Sequence, residues 1–198
     1  MVHREIVSHV CWLRMESGKV QALDLELTKD LTAALDRAVA DGAPPLVITG
    51  TGSSFSAGVD LFRVVNEGAD YVRTFLPALS EVIRKLFAYP GPVISAINGH
   101  AVAGGALLAW CGDLRVMADG KGRIGVPELR VGVPFPAAAI AVLRFATGGR
   151  SMQSLAYVGG NAVGSRSTGG IAGRRSGAAP RAGRSRERPR SLTRVHPT

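Results

Sequence analysis

The order of the apolar segments constrains the fold of this chain more than any other feature. Short runs such as LVITG (46–50) and PVISAING (92–99) are apolar almost throughout and end at or near glycine, as buried strands of parallel sheets do. Apolar residues at helical spacing follow them or precede them, at 24–41, 71–89 and 137–146. Strands that alternate with helices predict an α/β fold with a largely parallel sheet.

Two more strands are predicted from their composition, at IVSHVCWLRM (6–15) and LRVMAD (114–119). Asp24 precedes the first helical pattern and is expected to cap that helix. Pro77 is expected to bend the second helix or to lie near its first turns.

The net charge of +9 is not spread evenly along the chain. Residues 1–150 carry 15 basic and 14 acidic side chains, whereas residues 151–198 carry nine arginines, no lysine and one glutamate. The chain is therefore divided into a core, 1–150, and an Arg-, Gly- and Ser-rich tail, 151–198. The tail has almost no large apolar residues after Val158, so we predict that it is disordered.

Three interpretations of the tail stay open. It is a solvated segment without a specific role, or an arginine-rich arm that binds RNA or phosphate, or the product of a GC-rich gene read out of frame. The third is favoured, because arginine without lysine, mixed with Gly, Ala, Pro and Ser, is typical of such a frame. A nucleic-acid partner is not expected for the nearly neutral core.

The sequence also bears on the compartment. No run of about 18 apolar residues predicts a membrane span, and the N-terminus lacks the apolar stretch of a secretory signal. The two cysteines, Cys11 and Cys111, are expected to be free thiols in a reducing compartment. A cytoplasmic location without membrane contact is therefore predicted.

Two loops of small residues follow the buried strands. GTGSSFSAG (50–58) lacks the Lys-Ser/Thr ending of a P-loop and the GxGxxG spacing of a dinucleotide fold. AVAGGALLAW (101–110) leads into a helix, whose first N–H groups have no intrahelical acceptor. Two loops of this kind favour converging backbone N–H donors, as in an oxyanion hole for a carbonyl oxygen, although tight packing alone also requires glycine.

Glu128 is the candidate for proton chemistry. It lies among apolar residues and prolines in VPELRVGVP, and an apolar setting raises the pKa of a carboxyl group. The alternative is a helix-start or surface carboxylate. The four histidines are scattered, so neither a catalytic triad nor a metal site is predicted, and His100 is interpreted as structural. Three aspartates are expected to be caps or turn residues, namely Asp60, Asp113 and Asp119.

Three blocks together resemble the crotonase superfamily, which contains the enoyl-CoA hydratases and isomerases. They are LVITGTGSSFSAGVDL, PVISAINGHAVAGGALLAWCGDLRVMAD and IGVPELRVGVPFP, in the order of that family. The resemblance runs from about residue 5 to 148 and is strongest over 46–136. It implies a ββα-superhelix spiral core that binds acyl-CoA thioesters, with coenzyme A as part of the substrate and no separate cofactor.

The resemblance also implies roles for individual residues. The backbone N–H groups of Val59 and Gly104 correspond to the oxyanion hole. Backbone around four residues corresponds to the part that holds coenzyme A, namely Ser56, Ala57, Asp60 and Leu61. Family members form homotrimers or hexamers through C-terminal helices, and that pattern is lost here near Val158, which suggests a truncated or frame-shifted member.

One position departs from the family pattern. Hydratases of the family use two glutamates around a water; the second corresponds to Glu128, but the first falls on Leu107. A single glutamate can still carry a proton between the α and γ carbons. The sequence therefore predicts an enoyl-CoA isomerase-like activity with Glu128 as the shuttle. The alternatives are an enoyl-CoA hydratase of fatty-acid β-oxidation and an inactive, truncated relative that binds CoA.

Overall fold

A computed structural model of the chain describes residues 1–148, 152–153 and 162–163. The strands are β1 Val2–Val7, β2 Val10–Met15, β3 Ala22–Leu23, β4 Leu46–Thr49, β5 Ser54–Ser56, β6 Gly58–Val59, β7 Val93–Ile97, β8 His100–Val102, β9 Leu114–Met117, β10 Arg123–Gly125 and β11 Ala162–Val163. The helices are α1 Leu25–Ala40, α2 Leu61–Phe87, α3 Gly104–Cys111 and α4 Ala137–Thr147, with a short 3-10 helix at Glu128–Val131.

The main sheet has five strands in the order β1-β2-β4-β7-β9. Neighbouring strands from β2 to β9 are parallel, and only β1 is antiparallel to its neighbour. All four residues of β4 are buried, which explains why its sequence is continuously apolar rather than alternating. The predicted α/β fold with a largely parallel sheet is confirmed.

A second sheet lies beside the first, in the order β11-β10-β8-β5. Its strands β5, β8 and β10 are parallel. Each of them comes directly after a strand of the main sheet, so β4–β5–α2 and β7–β8–α3 are two successive turns of one pattern. The repeated strand–strand–helix turn is the ββα spiral that the resemblance implied.

The expectation of one strand at 6–15 is wrong. The chain makes a hairpin there, in which Val7 of β1 pairs with Val10 of β2. The turn residues Ser8 and His9 both have left-handed φ angles, 50° and 65°, as a two-residue hairpin turn requires. Because the turn residues Ser8 and His9 are neither glycine, asparagine nor proline, the sequence carries none of the usual turn signals here.

The first helix begins as predicted, with the carboxylate of Asp24 accepting a hydrogen bond from Leu27 N at 2.7 Å. The second helix begins ten residues before the predicted start. Asp60 caps this helix by accepting a hydrogen bond from Arg63 N at 3.1 Å. The backbone of the helix departs from helical geometry at Gly68 (φ 70°, ψ −153°) and not at Pro77. Most apolar residues of the segment before Gly68 are exposed in the structure. The sequence there therefore has no apolar stripe at helical spacing that would predict a helix.

Helix α3 lies at the centre of the molecule, and all eight of its residues are buried. Its small residues let other backbone segments come close to it: a methyl group on Gly105 would overlap the carbonyl oxygen of Ser56. Its own Trp110 is among the largest fully buried side chains, as are Phe55 of β5 and Phe75 of α2, two elements that contact α3. The helix that follows the second small-residue loop is therefore also the centre of the core.

Other expectations concern thiols, membranes and the tail. Cys11 and Cys111 are both buried and free. Within the part of the chain that the structure describes, no helix is long and apolar enough to cross a membrane. The tail, 151–198, lies outside the described residues except for 152–153 and 162–163, so its predicted disorder and the boundary at residue 150 stay predictions.

The approach of Gly105 to Ser56 makes a prediction about stability. Alanine normally stabilises a helix relative to glycine by up to about 1 kcal/mol. Here Gly105→Ala is expected to lower the free energy of unfolding by about 2–3 kcal/mol, since backbone must move to admit the methyl group. Urea unfolding measures it, with Ala33→Gly at an exposed position of α1 as the control, where alanine should be the more stable residue by up to about 1 kcal/mol. A Gly105→Ala variant as stable as the parent protein would contradict the packing described.

Candidate active site

The two small-residue loops are brought together by strand pairing. Strands β5 and β8 run parallel, with Ser54 opposite His100. Asn98 joins the loops further: its Oδ1 accepts from Gly50 N at 3.0 Å, and its Nδ2 donates to Gly52 O at 3.0 Å. His100 is the first residue of β8 and is half-buried, in keeping with its predicted structural role.

The candidate oxyanion donors Val59 and Gly104 lie next to each other. Gly58, with φ of 87°, packs so closely on the start of α3 that a methyl group on it would lie 2.9 Å from Gly104 N and 2.7 Å from Val102 O. A methyl group on Gly104 would lie 3.7 Å from Cγ2 of Val59. The structure therefore brings the two predicted donor residues to one place.

The start of α3 leaves backbone donors at this place. No side chain caps the helix, and the N–H groups of its first turn have no acceptor within the helix. The preceding residue, Ala103, has φ 53° and ψ −127°, a conformation that alanine rarely adopts, and its N–H donates to Gly125 O at 2.8 Å. An uncapped helix start that carries backbone strain is suited to bind an anionic oxygen.

Glu128 lies at the same end of the second sheet as the start of α3. Strands β8 and β10 are parallel, with Gly125 opposite Val102, so Gly104 and Glu128 follow the carboxyl ends of adjacent strands. Glu128 is only 7% exposed, and its Oε2 is buried without a hydrogen-bond partner among the described residues. Burial raises the pKa of the Glu128 carboxyl to about 7. Such a group can both take and return a proton near neutral pH.

Leu107 lies one turn along α3 from Gly104 and is buried, with 2% of its surface exposed. This position offers neither a proton acceptor nor a hydrogen bond to water. Among the described residues, no group of three or more His, Cys, Asp or Glu side chains could hold a metal ion.

The four residues predicted to hold coenzyme A surround Val59, with different accessibility. Ser56 is buried, and the N–H groups of Ala57 and Asp60 donate to Val20 O at 2.9 Å and Leu23 O at 3.0 Å. A ligand that forms hydrogen bonds with the backbone of Ala57 or Asp60 would therefore have to donate to their carbonyl oxygens. Leu61 is 46% exposed and offers an apolar surface.

Sequence reasoning missed two polar residues that organise this region. Asn98 was read only as part of a turn, and Gln21 was not singled out, although its side chain is buried and contacts the first loop. A glutamine in a polar turn carries no local signal of burial. Of the aspartates expected to be caps or turn residues, Asp60 caps α2, and Asp113 accepts from Val93 N at 2.8 Å.

The spiral of ββα turns, with two glycine-rich backbone segments meeting beside a buried carboxyl group, defines a crotonase-type fold. The sequence model of the Enoyl-CoA hydratase/isomerase family matches residues 5–165. The chain therefore belongs to the enoyl-CoA hydratase/isomerase family, and the resemblance noted from its motifs is confirmed.

Among curated relatives, a Thermus thermophilus protein named as an enoyl-CoA hydratase is 39% identical over 142 residues, which are 69% of this chain and 55% of the relative. The mouse mitochondrial enoyl-CoA delta isomerase 1 is 32% identical over 139 residues, 69% of this chain and 48% of the relative. The chain thus spans about half the length of the curated relatives it matches.

Solved structures include the probable enoyl-CoA hydratase EchA3 of Mycobacterium tuberculosis, with 33% identity and a TM-score of 0.75, covering 82% of this chain and 69% of that one. A second structure of the same protein, described as an enoyl-CoA isomerase, has 32% identity and a TM-score of 0.74, covering 82% and 70%. The names of the curated relatives also include both activities.

The burial of Glu128 predicts a pH-dependent stability. Its folded pKa of about 7 lies above the ordinary value of 4.5, so below pH 4.5 the carboxyl is protonated in both states. Between pH 4.5 and 7 the unfolded chain ionises first, and the free energy of unfolding should fall by about 3 kcal/mol as pH rises. Urea unfolding across this range tests it against Glu128→Gln, which should lack the decrease. A constant difference between the two proteins at all pH values would exclude the buried carboxyl as its source.

Proposed function

We propose that the chain catalyses enoyl-CoA isomerisation, in which the double bond of a 3-enoyl-CoA thioester moves to the 2 position. The observation that carries the proposal is Glu128, a buried carboxyl whose pKa is raised to about 7, together with leucine at position 107. A single acid of this kind can move a proton between carbon atoms. It cannot hold a water molecule for hydration, which needs a second acid at position 107.

The proposed reaction has two proton transfers. The Glu128 carboxylate takes a proton from the α carbon, and the electron pair moves onto the thioester oxygen to give an enolate. The N–H groups of Val59 and Gly104 donate to this oxygen, where the negative charge develops. Protonated Glu128 then returns the proton to the γ carbon, the enolate collapses, and the double bond lies between the α and β carbons.

The raised pKa of Glu128 suits both steps. A carboxyl with an ordinary pKa would be a weak base toward carbon, whereas one titrating near 7 is a stronger base that is still ionised in part at neutral pH. Because the Oε2 atom has no partner among the described residues, no ion pair holds the carboxylate in its charged form. The proton can therefore pass back to the substrate.

Two other functions are kept as candidates for stated reasons. Hydration of a 2-enoyl-CoA is favoured by the names of several relatives, but it needs another group to orient water in place of Leu107. Binding of CoA without turnover is the other candidate, because only one of the two acids that hydratases of the family use, Glu128, is present in this sequence.

The binding partner in this proposal is an acyl-CoA, held by backbone and apolar surface around Ser56, Ala57, Asp60 and Leu61. Coenzyme A is part of the substrate, and no separate cofactor is proposed. A homotrimer or hexamer and a role in fatty-acid metabolism follow the family pattern. The cytoplasm is the proposed compartment, in keeping with the buried free thiols of Cys11 and Cys111.

An assay with two substrates tests the proposed reaction. The protein is expected to convert a 3-enoyl-CoA into the 2-enoyl isomer and to hydrate a 2-enoyl-CoA much more slowly. Glu128→Gln should lower the isomerisation rate at least about a hundredfold, the usual effect of losing a general base. Glu5→Gln, at an exposed position on β1, is the matched control and should leave the rate unchanged. Full activity of Glu128→Gln would exclude the proposed shuttle.

The pH profile of the reaction gives a separate test. Because the carboxylate form of Glu128 is the base in the free enzyme, kcat/KM should rise with pH and level off above about 7. The rise should be tenfold per pH unit well below the pKa of Glu128. A profile that is flat between pH 5 and 8, measured under conditions where the protein stays folded, would contradict the assignment.

A further inference from the structure

Gln21 is an unusual residue for a connecting segment. It lies between β2 and β3, it is 1% exposed, and its φ of 50° is left-handed. Burying a polar side chain and holding a non-glycine residue in this conformation both cost free energy. Such a residue persists where its side chain makes contacts that repay the cost.

The side-chain amide of Gln21 makes three hydrogen bonds. Its Oε1 accepts from Ser17 N at 3.2 Å. Its Nε2 donates to Thr51 O at 2.5 Å and to Ser54 O at 3.1 Å. One side chain thus ties the connection before β3 to two points of the first small-residue loop.

The backbone of Gln21 continues the same connection. Its carbonyl oxygen accepts a hydrogen bond from the Ser56 hydroxyl at 2.8 Å, and that hydroxyl accepts from Gly58 N at 3.1 Å. Two residues further along, Leu23 pairs with Val59 between β3 and β6. Gln21 therefore has hydrogen-bonded contact with the loop at Thr51 and Ser54 and, through Ser56, next to the proposed donor Val59.

We propose that Gln21 is a positioning residue, which holds the loop 51–58 so that the Val59 N–H meets the enolate oxygen beside Gly104. The inference rests on the proposed function, since it concerns the same oxyanion site. Donors of this kind accelerate a reaction only when they are held in place before the charge develops. Loosening the loop should therefore slow turnover more than it weakens binding of coenzyme A.

The test uses Gln21→Met, which keeps the volume of the side chain but removes its hydrogen bonds. The control is Thr28→Val in α1, where a fully buried hydroxyl is lost that bonds only within its own helix, to Asp24 O and Leu25 O. Gln21→Met is expected to lower kcat about tenfold or more and to weaken binding of free coenzyme A by a clearly smaller factor, because Ser56 and Ala57 of the same loop also lie at the proposed CoA site. Thr28→Val should change neither quantity at a temperature where both variants are folded.

A second measurement needs no substrate. Amide hydrogen exchange of the protein alone should become at least about tenfold faster in Gln21→Met at Gly58 and Asp60, whose N–H groups are hydrogen-bonded on either side of Val59, while β4 keeps its protection. If Gln21→Met does not fold, Gln21→Asn replaces it, because asparagine tolerates the left-handed φ of this position while its shorter side chain cannot reach both Thr51 O and Ser54 O.

The outcomes separate the two proposals. Unchanged exchange at Gly58 and Asp60, or a kcat equal to that of Thr28→Val, would overturn the role of Gln21. A uniform fall in CoA affinity and kcat together would also overturn it, since a loss of general binding is not loss of positioning. If the parent protein neither binds coenzyme A nor turns over an enoyl-CoA while exchange still changes, the proposed function fails, and Gln21 is a loop tether without this reaction.

Discussion

The close approach of residues 56–58 to the first turn of α3 is the contact on which the rest of the structure depends. Side chains are excluded from it: a methyl group on Gly105 would overlap Ser56 O, and one on Gly58 would press on Gly104 N. Because the two backbones touch, the second sheet and the central helix form one packed unit. The same contact places the two candidate N–H donors side by side, so these glycines serve the core and the site together.

Backbone strain is concentrated around this contact. Gln21 and Ala103 have φ angles of 50° and 53°, and Gly58 has 87°. Non-glycine residues keep such angles only where surrounding contacts fix them. Here the hydrogen bonds of Gln21, Asn98 and Ser56 do so from three directions. Under the proposed function, these hydrogen bonds hold the N–H donors in place before a ligand arrives, which is the condition under which backbone dipoles stabilise developing charge.

Elements whose signals lie in neighbouring residues could be predicted from the sequence, whereas features that depend on contacts between distant residues could not. Strands β4 and β7 and helix α1 each carry an apolar pattern within their own sequence, and α1 also has its cap at Asp24. These three elements were predicted from such local signals. The placement of Val59, Gly104 and Glu128 came from the family resemblance, because no local pattern shows that segments so far apart in the chain meet. The side chain of Gln21 contacts residues 30 and 33 positions away, and no spacing rule detects such contacts.

Under the proposed function, Leu107 determines what Glu128 can do. Two carboxyl groups in one site would repel each other when both are charged, and the titration of each would depend on the other. With leucine at position 107, burial is the main influence that raises the pKa of Glu128. The proton that Glu128 takes from carbon then has no second carboxyl group to receive it, so a carbon atom of the substrate is the available acceptor. The same apolar substitution that removes the means to hold water thus favours return of the proton to the substrate.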